Sequence, residues 1–225
     1  QYFSLSRDTL KVTLKRQRLM IVRRDRALRI ASILSKVRGI KSIILMNSLA
    51  MQTCRESSDI DLLIIVDPKS LYYSRTIGLL NLKGRGLAKT KSNVAGRACL
   101  GYWLTNSDLK VEQYQSDIYT AAIWVATMVP LFGIEGYINF IQSNAWIYQY
   151  MPNWTPHRTA HLVGSNQKDI SRAGAFLNQK LFPLHRARIL ADPEFVNSPE
   201  TVIEIDRLKL HSVDHRPSYA QKMQS

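Results

Sequence analysis

Between residues 6 and 37 the apolar positions Leu10, Leu14, Ile21, Leu28, Ile30, Ala31, Leu34 and Val37 recur at roughly helical spacing, with Arg and Lys between them. That pattern predicts a long amphipathic helix or a pair of helices. Past the turn residue Gly39 the period disappears: residues 40–46 and 60–66 are short, continuous runs of Ile, Leu and Val. Such runs predict buried strands. Between them, residues 47–52 can form a helical turn and Arg55, Glu56, Ser57 and Ser58 a polar turn, while Asp67-Pro68 ends the second strand. Residues 71–82 carry an apolar helical face, and residues 97–105 (RACLGYWLT) predict a third strand.

Further on, residues 112–128 and 134–150 look helical, and Tyr119, Trp124, Trp146, Tyr148 and Tyr150 within them suit a core better than a stack of bases. From residue 118 to 157 Glu135 is the only charged residue, but Pro130, Gly133 and Gly136 interrupt the stretch. Its apolar pieces fall short of the roughly 20 residues that cross a bilayer, so it reads as two buried helices. Residues 153–156 look like a linker, residues 169–180 a last helix before Pro183, and the chain from Pro193 a polar tail with Phe195, Val202, Ile203, Ile205 and Leu208 as anchors. The organisation expected is a basic helical segment (1–38), a strand-bearing core (39–110), a helical portion (111–192) and an extended tail (193–225).

Charge narrows the class of partner. The chain has 225 residues, 45% hydrophobic and 21% charged, and a formal net charge of +14. It can bury a core, and its surplus favours a polyanion such as nucleic acid or an anionic membrane surface. Nine basic residues lie from Arg7 to Arg29 against Asp8 and Asp25, and seven from Pro68 to Ser107 with no acid at all. Arg16, Arg23 and Arg24 on the helix, and Lys83, Arg85, Lys89 and Lys91 on the Gly-containing connection, are the candidate contacts to phosphates. A solvated helix face and a flexible connector are the bland readings of the same two runs. Two cysteines, Cys54 and Cys99, exclude a disulfide framework and a cysteine-based zinc site, and the five histidines lack metal spacing. The chain opens Gln1-Tyr2-Phe3 without Met, which fits a cleaved organellar presequence as well as simple trimming.

The sharpest chemistry lies in Ser58-Asp59-Ile60-Asp61. Residues two apart on a strand share a face, so Asp59 and Asp61 present paired carboxylates at the beginning of an apolar strand. Such a pair belongs at an exposed strand end, where hard oxygens suit a divalent cation. Separated from Asp59 by ten residues, Ser48 follows Asn47 where the first strand gives way to a helical turn, a place suited to phosphate.

The run MNSLAMQTCRESSDIDLLIIVDP resembles the Gly-Ser, spacer, Asp-x-Asp signature of the DNA polymerase β-like nucleotidyltransferase superfamily. The segments LYYSR, RACLGYWLT, SDIYTA, FIQSNAWIYQYMPN and KLHSVDHRPSY extend the likeness, from about Leu10 to Tyr219, to little-characterised bacterial proteins with such a domain. The resemblance implies an α/β (α+β) nucleotidyltransferase fold with a small mixed sheet, flanking helices and a helical C-terminal portion. It also implies Mg²⁺ on Asp59 and Asp61 as catalytic metal ligands, triphosphate contacts from Ser48 and Asn47, and nucleotidyl transfer with release of pyrophosphate.

Three positions depart from the family pattern. Asn47 stands for the Gly before Ser48; RACLGYWLT holds no third carboxylate, Gly101 lying near its place and Asp108 and Glu112 beyond the strand; and Ala122-Ile123 replaces a His-Glu pair. The expectation is therefore a degenerate nucleotidyltransferase acting as a basic RNA-binding or structural component of a ribonucleoprotein, such as an organellar ribosome in mitochondria. The alternatives are an active Mg²⁺-dependent enzyme using NTP, with a cytoplasmic location also open, and a modifier of the toxin–antitoxin kind.

Overall fold

The structure is a computed structural model that describes residues 7–111, 118–162 and 168–210. In chain order its first elements are α1 (Arg7–Leu34), β1 (Ile40–Leu45), α2 (Asn47–Ala50), β2 (Ile60–Val66), α3 (Leu71–Lys83) and β3 (Ala98–Thr105). Then come α4 (Ile118–Ala126), β4 (Val129–Phe132), α5 (Ile134–Ser143), α6 (Ile147–Tyr150), α7 (Arg172–Leu190), α8 (Pro193–Val196), β5 (Val202–Ile203) and β6 (Arg207–Lys209).

The apolar run of β2 is continuous because helices cover both faces of the sheet. Ile60, Leu62, Ile64 and Val66 enter one core, with Ala27, Ile30, Ala31 and Leu34 of α1, Leu71, Tyr72 and Leu82 of α3, and Ile189 of α7. Leu63 and Ile65 enter the other, against Ala122 and Val125 of α4 and Tyr137, Phe140 and Ile141 of α5. The period of two along β2 thus divides the molecule into two apolar layers around one mixed six-stranded sheet, in the order β4-β1-β2-β3-β6-β5. Only β2 and β3 run parallel; the other neighbours are antiparallel. The protein is therefore of the mixed α/β class, and no helix among the described residues is long and apolar enough to cross a membrane.

Three elements differ from the sequence expectation. In place of two adjoining helices, the charge-poor segment forms α4, then edge strand β4 against β1, then α5. Pro130 lacks an amide hydrogen, which an edge strand tolerates. Gly133 makes the next turn at φ 69°, where a Cβ would lie 1.8 Å from the Lys41 carbonyl oxygen. The polar tail supplies β5 and β6, so the C-terminal part is not simply helical and extended. Its β6 is held to β3 by the ladder and by Arg207, whose guanidinium donates twice to Asp108 at 2.7 and 2.9 Å. Finally, α7 runs on through Pro183 to Leu190 instead of ending before it. Its apolar residues Leu181, Phe182 and Ile189 pack on the first core, and this packing offsets the hydrogen bond that proline removes.

Helix α3 receives its N-cap from another element. The Ser70 hydroxyl donates to the Asp67 carbonyl and caps no amide of its own helix. Instead Asn178 of α7, fully buried, accepts from the amides of Tyr72 and Tyr73 at 2.7 and 3.1 Å. Asn178→Ala should therefore cost about 1–3 kcal/mol in urea unfolding, and Asn178→Asp, which keeps the acceptor oxygen at the helix N-terminus, distinctly less. Equal stability of wild type and Asn178→Ala would remove this capping role.

Candidate functional site

Asp59 stands immediately before β2 and Asp61 within it, both at the end where the strand leaves its apolar layers. The parallel register places Cys99 of β3 opposite Asp61. One ligand atom from each of Asp59, Asp61 and Cys99 lies within 4.8 Å of the others. Across from them the Lys89 ammonium donates to Asp59 Oδ2 at 2.7 Å. Asn47 closes the remaining side: its Oδ1 accepts from Trp124 Nε1 at 2.8 Å, and its side chain also hydrogen-bonds to Asp61. Asn47 has φ 57°, a left-handed conformation that Asn adopts more readily than most residues.

Register decides which residue of β3 meets the carboxylates. Asp61 pairs with Cys99 but Leu63 pairs with Tyr102, so β3 has one extra residue there, a β-bulge around Leu100 and Gly101. A Cβ on Gly101 would lie 3.2 Å from the Leu210 carbonyl oxygen, and the Leu210 amide donates to the Gly101 carbonyl at 2.8 Å. The expected position of a third carboxylate thus lies against the chain that follows β6, and a thiol, not an acid, faces Asp61. Asp108 is bonded to Arg207, and Glu112 lies outside the described residues.

Enclosure sets the electrostatics. Burial, then the neighbouring Asp59, push Asp61 up to about 6, against the opposing pull of Asn47, Lys89 and Cys99. Burial, then Asp61, push the Cys99 thiol up to about 12, so it holds its proton at neutral pH. Burial works against the Lys89 charge, but Cys99, Asp59 and Asp61 outweigh it, and Lys89 titrates above its ordinary value.

A cleft of about 910 Å³ opens from this corner. Asn47, Asp59, Asp61, Lys89 and Cys99 line it together with Lys83, and α3 and α7 supply a wall of Arg75, His185 and Arg188. His185 Nδ1 lies 2.8 Å from Arg75 Nη1, and Nε2 lies 2.8 Å from Thr76 Oγ1, whose own proton goes to the Tyr72 carbonyl. The pattern makes Nδ1 the acceptor and Nε2–H the donor. Burial, then Arg75 and Arg188, lower His185 to about 4.

Of the residues singled out from sequence, Asn47, Asp59, Asp61, Lys83, Lys89 and Lys91 meet in this cleft. Ser48 lies on the single turn of α2, outside the cleft lining, with its carbonyl accepting from the Thr53 amide at 2.8 Å. Lys91 pairs with Asp192 at 2.9 Å, and exposed Arg85 donates to the Asn81 carbonyl at the end of α3. Arg16 and Arg24 are exposed on α1, Arg24 donating to His161. Arg23 is a correction to the proposed phosphate surface: it is 8% exposed and donates to the Glu56 carbonyl at 2.6 Å, anchoring α1 to the turn before β2. Ser116 and Asp117, which begin the SDIYTA segment, and residues 211–219 lie outside the described residues. Sequence reading did not find Cys99, Arg75, His185 or Arg188 as cleft residues. Cys99 had a signal in its place in a predicted strand beside the Asp-x-Asp strand, and Arg75 in the acid-free basic run of residues 68–107; His185 and Arg188 are brought in by α3–α7 packing.

Comparison with known proteins gives no relative: no family model matches the chain, and no curated protein or solved structure matches it either.

The neutral His185 makes stability depend on pH. Its folded value of about 4 lies below the ordinary 6.5, so its contribution is complete above 6.5 and is lost as pH falls from 6.5 toward 4. The groups facing it are Arg75, Thr76 and the Tyr72 ring from α3, and Arg188 from its own helix. Melting temperature should fall over that window, and His185→Gln should flatten the fall. Parallel pH profiles for the two proteins would contradict the assignment.

Proposed function

We propose that this chain is a nucleotidyltransferase-like protein without transfer chemistry, acting as a basic RNA-binding component of a ribonucleoprotein. The observation that carries this reading is the Lys89–Asp59 ion pair beside a protonated thiol. Metal-assisted in-line transfer needs carboxylates to hold divalent ions at the attacking and leaving oxygens. Magnesium favours hard oxygen ligands in octahedral geometry. Here the donors are two carboxylates and a thiol, one carboxylate already holds an ammonium, and Asn47 and Cys99 hydrogen-bond to the other. That donor set does not fit a catalytic magnesium site.

Binding to RNA is supported by the net charge of +14 and by the exposed cations of α1. Arg16 and Arg18 there are exposed, as is Lys83 at the mouth of the cleft. The alternative of an active Mg²⁺-dependent enzyme using NTP draws on the closeness of Asp59, Asp61 and Cys99. One experiment separates the two. Affinity for single-stranded RNA should fall steeply with salt, each phosphate contact adding roughly 0.7 to the logarithmic slope. Neutral substitution of Arg16 and Arg18 should flatten it, Asp59→Asn should leave it unchanged, and labelled nucleoside triphosphates should not be incorporated. Salt-independent binding, or none, overturns the RNA reading. Incorporation that Asp61→Asn abolishes establishes the enzyme instead.

A further inference from the structure

Among the described residues, no carboxylate hydrogen-bonds to the Arg75 guanidinium. Its Nη1 bonds to a neutral imidazole, its Nε is enclosed without a hydrogen-bond partner, and the neighbouring Arg188 has the same sign. Two acids on this side also line the cleft, and neither bonds to it: Asp192 is paired with Lys91, and Glu194 makes no hydrogen bond or ion pair with Arg75. Enclosing a guanidinium without an anion is costly, because a neutral acceptor orients the group while leaving its charge unanswered. The hydrogen-bonded relay from Arg75 through His185 and Thr76 to the Tyr72 carbonyl fixes that orientation toward the cleft that Arg75, Arg188 and Lys83 line together.

We propose that Arg75, Arg188 and Lys83 form a seat for the phosphate group of a ligand that enters the cleft beside Asp59 and Asp61. A tetrahedral phosphate has enough oxygens to accept from Arg75 Nη2 and from two further cations at once, which a single carboxylate does not. A cleft of about 910 Å³ also holds much more than a lone ion, so the phosphate belongs to a nucleotide-sized group. Two sources share this chemistry, a free mononucleotide and the phosphorylated end of an RNA strand. The seat goes beyond the RNA-binding surface of α1 and stands without it.

The test uses the whole chain and four probes at matched ionic strength: inorganic phosphate, AMP, a 5′-phosphorylated tetraribonucleotide and its 5′-hydroxyl counterpart. Phosphate-bearing probes should raise the melting temperature of wild type, and Arg188→Gln and Arg75→Gln should each weaken their binding by about tenfold or more. AMP binding tighter than the phosphorylated oligonucleotide assigns the seat to a mononucleotide. The reverse, with the 5′-hydroxyl oligonucleotide about tenfold weaker, assigns it to an RNA end. Without ligand, Arg75→Gln should melt no lower than wild type, since it removes an unanswered charge. Should that variant fail to fold, Arg188→Gln, altered at an exposed residue, gives the reading alone. Binding of all probes that is indifferent to Arg188 and Arg75, or no binding that chloride fails to match, overturns the proposal. Neutralising Arg16 and Arg18 should leave the phosphate effect intact, so failure of the RNA surface and failure of the seat read out separately.

Discussion

Two carboxylates two residues apart, at the mouth of a strand whose other residues are buried from both sides, dominate this molecule. Leu62, Leu63, Ile64, Ile65 and Val66 are fully enclosed, so Asp59 and Asp61 stand at the border of a low-dielectric core and must be compensated locally. The chain supplies that compensation from three directions: Lys89 from the connection after α3, Cys99 from β3, and Asn47 from the start of α2, itself steadied by Trp124 of α4. Elements distant in sequence converge because the carboxylates require partners. The groups that meet this need leave the pair poorly suited to magnesium, and this links the architecture to the function proposed.

The cleft has two unlike ends. At the β2–β3 end Asp59 has its own cation, whereas at the α3–α7 end Arg75 bonds to a neutral imidazole and, among the described residues, to no acid. Asn178 and His185, both on α7, serve this second end differently. Asn178 caps the start of α3, fixing the helix that carries Arg75, and His185 orients the arginine by accepting a hydrogen bond without adding charge. The acid-free run from Pro68 to Ser107 is therefore neither a loose connector nor a uniform basic surface. Its members include a core-facing helix, an internal counter-ion at Lys89, and an ion pair from Lys91 to Asp192.

Local pattern made much of the sheet legible. The runs at residues 40–46, 60–66 and 97–105 are β1, β2 and β3 within a residue or so, because a continuous apolar run bounded by turns has few other solutions. The placement of Asp59 and Asp61 at the beginning of β2 follows from the same pattern. What escaped was set by tertiary contacts. Val129-Pro130-Leu131-Phe132 is too short and too uniformly apolar to show a period, and its proline argues against a strand unless the strand lies at an edge. β6 has three residues and exists through β3 and the Arg207–Asp108 pair. The bulge that brings Cys99 rather than Gly101 to Asp61 is a matter of pairing between strands, which neither strand's own sequence specifies.

Lys89 serves as the cation for the carboxylate pair. Calorimetric titration of wild type, Lys89→Ala and Lys89→Ala/Asp59→Asn with Mg²⁺ addresses it directly. Wild type should bind no Mg²⁺ at millimolar concentration, binding should appear once the ammonium is removed, and it should be lost again when Asp59 is neutralised. Saturable binding of Mg²⁺ by wild type that Asp59→Asn abolishes would contradict this role of Lys89.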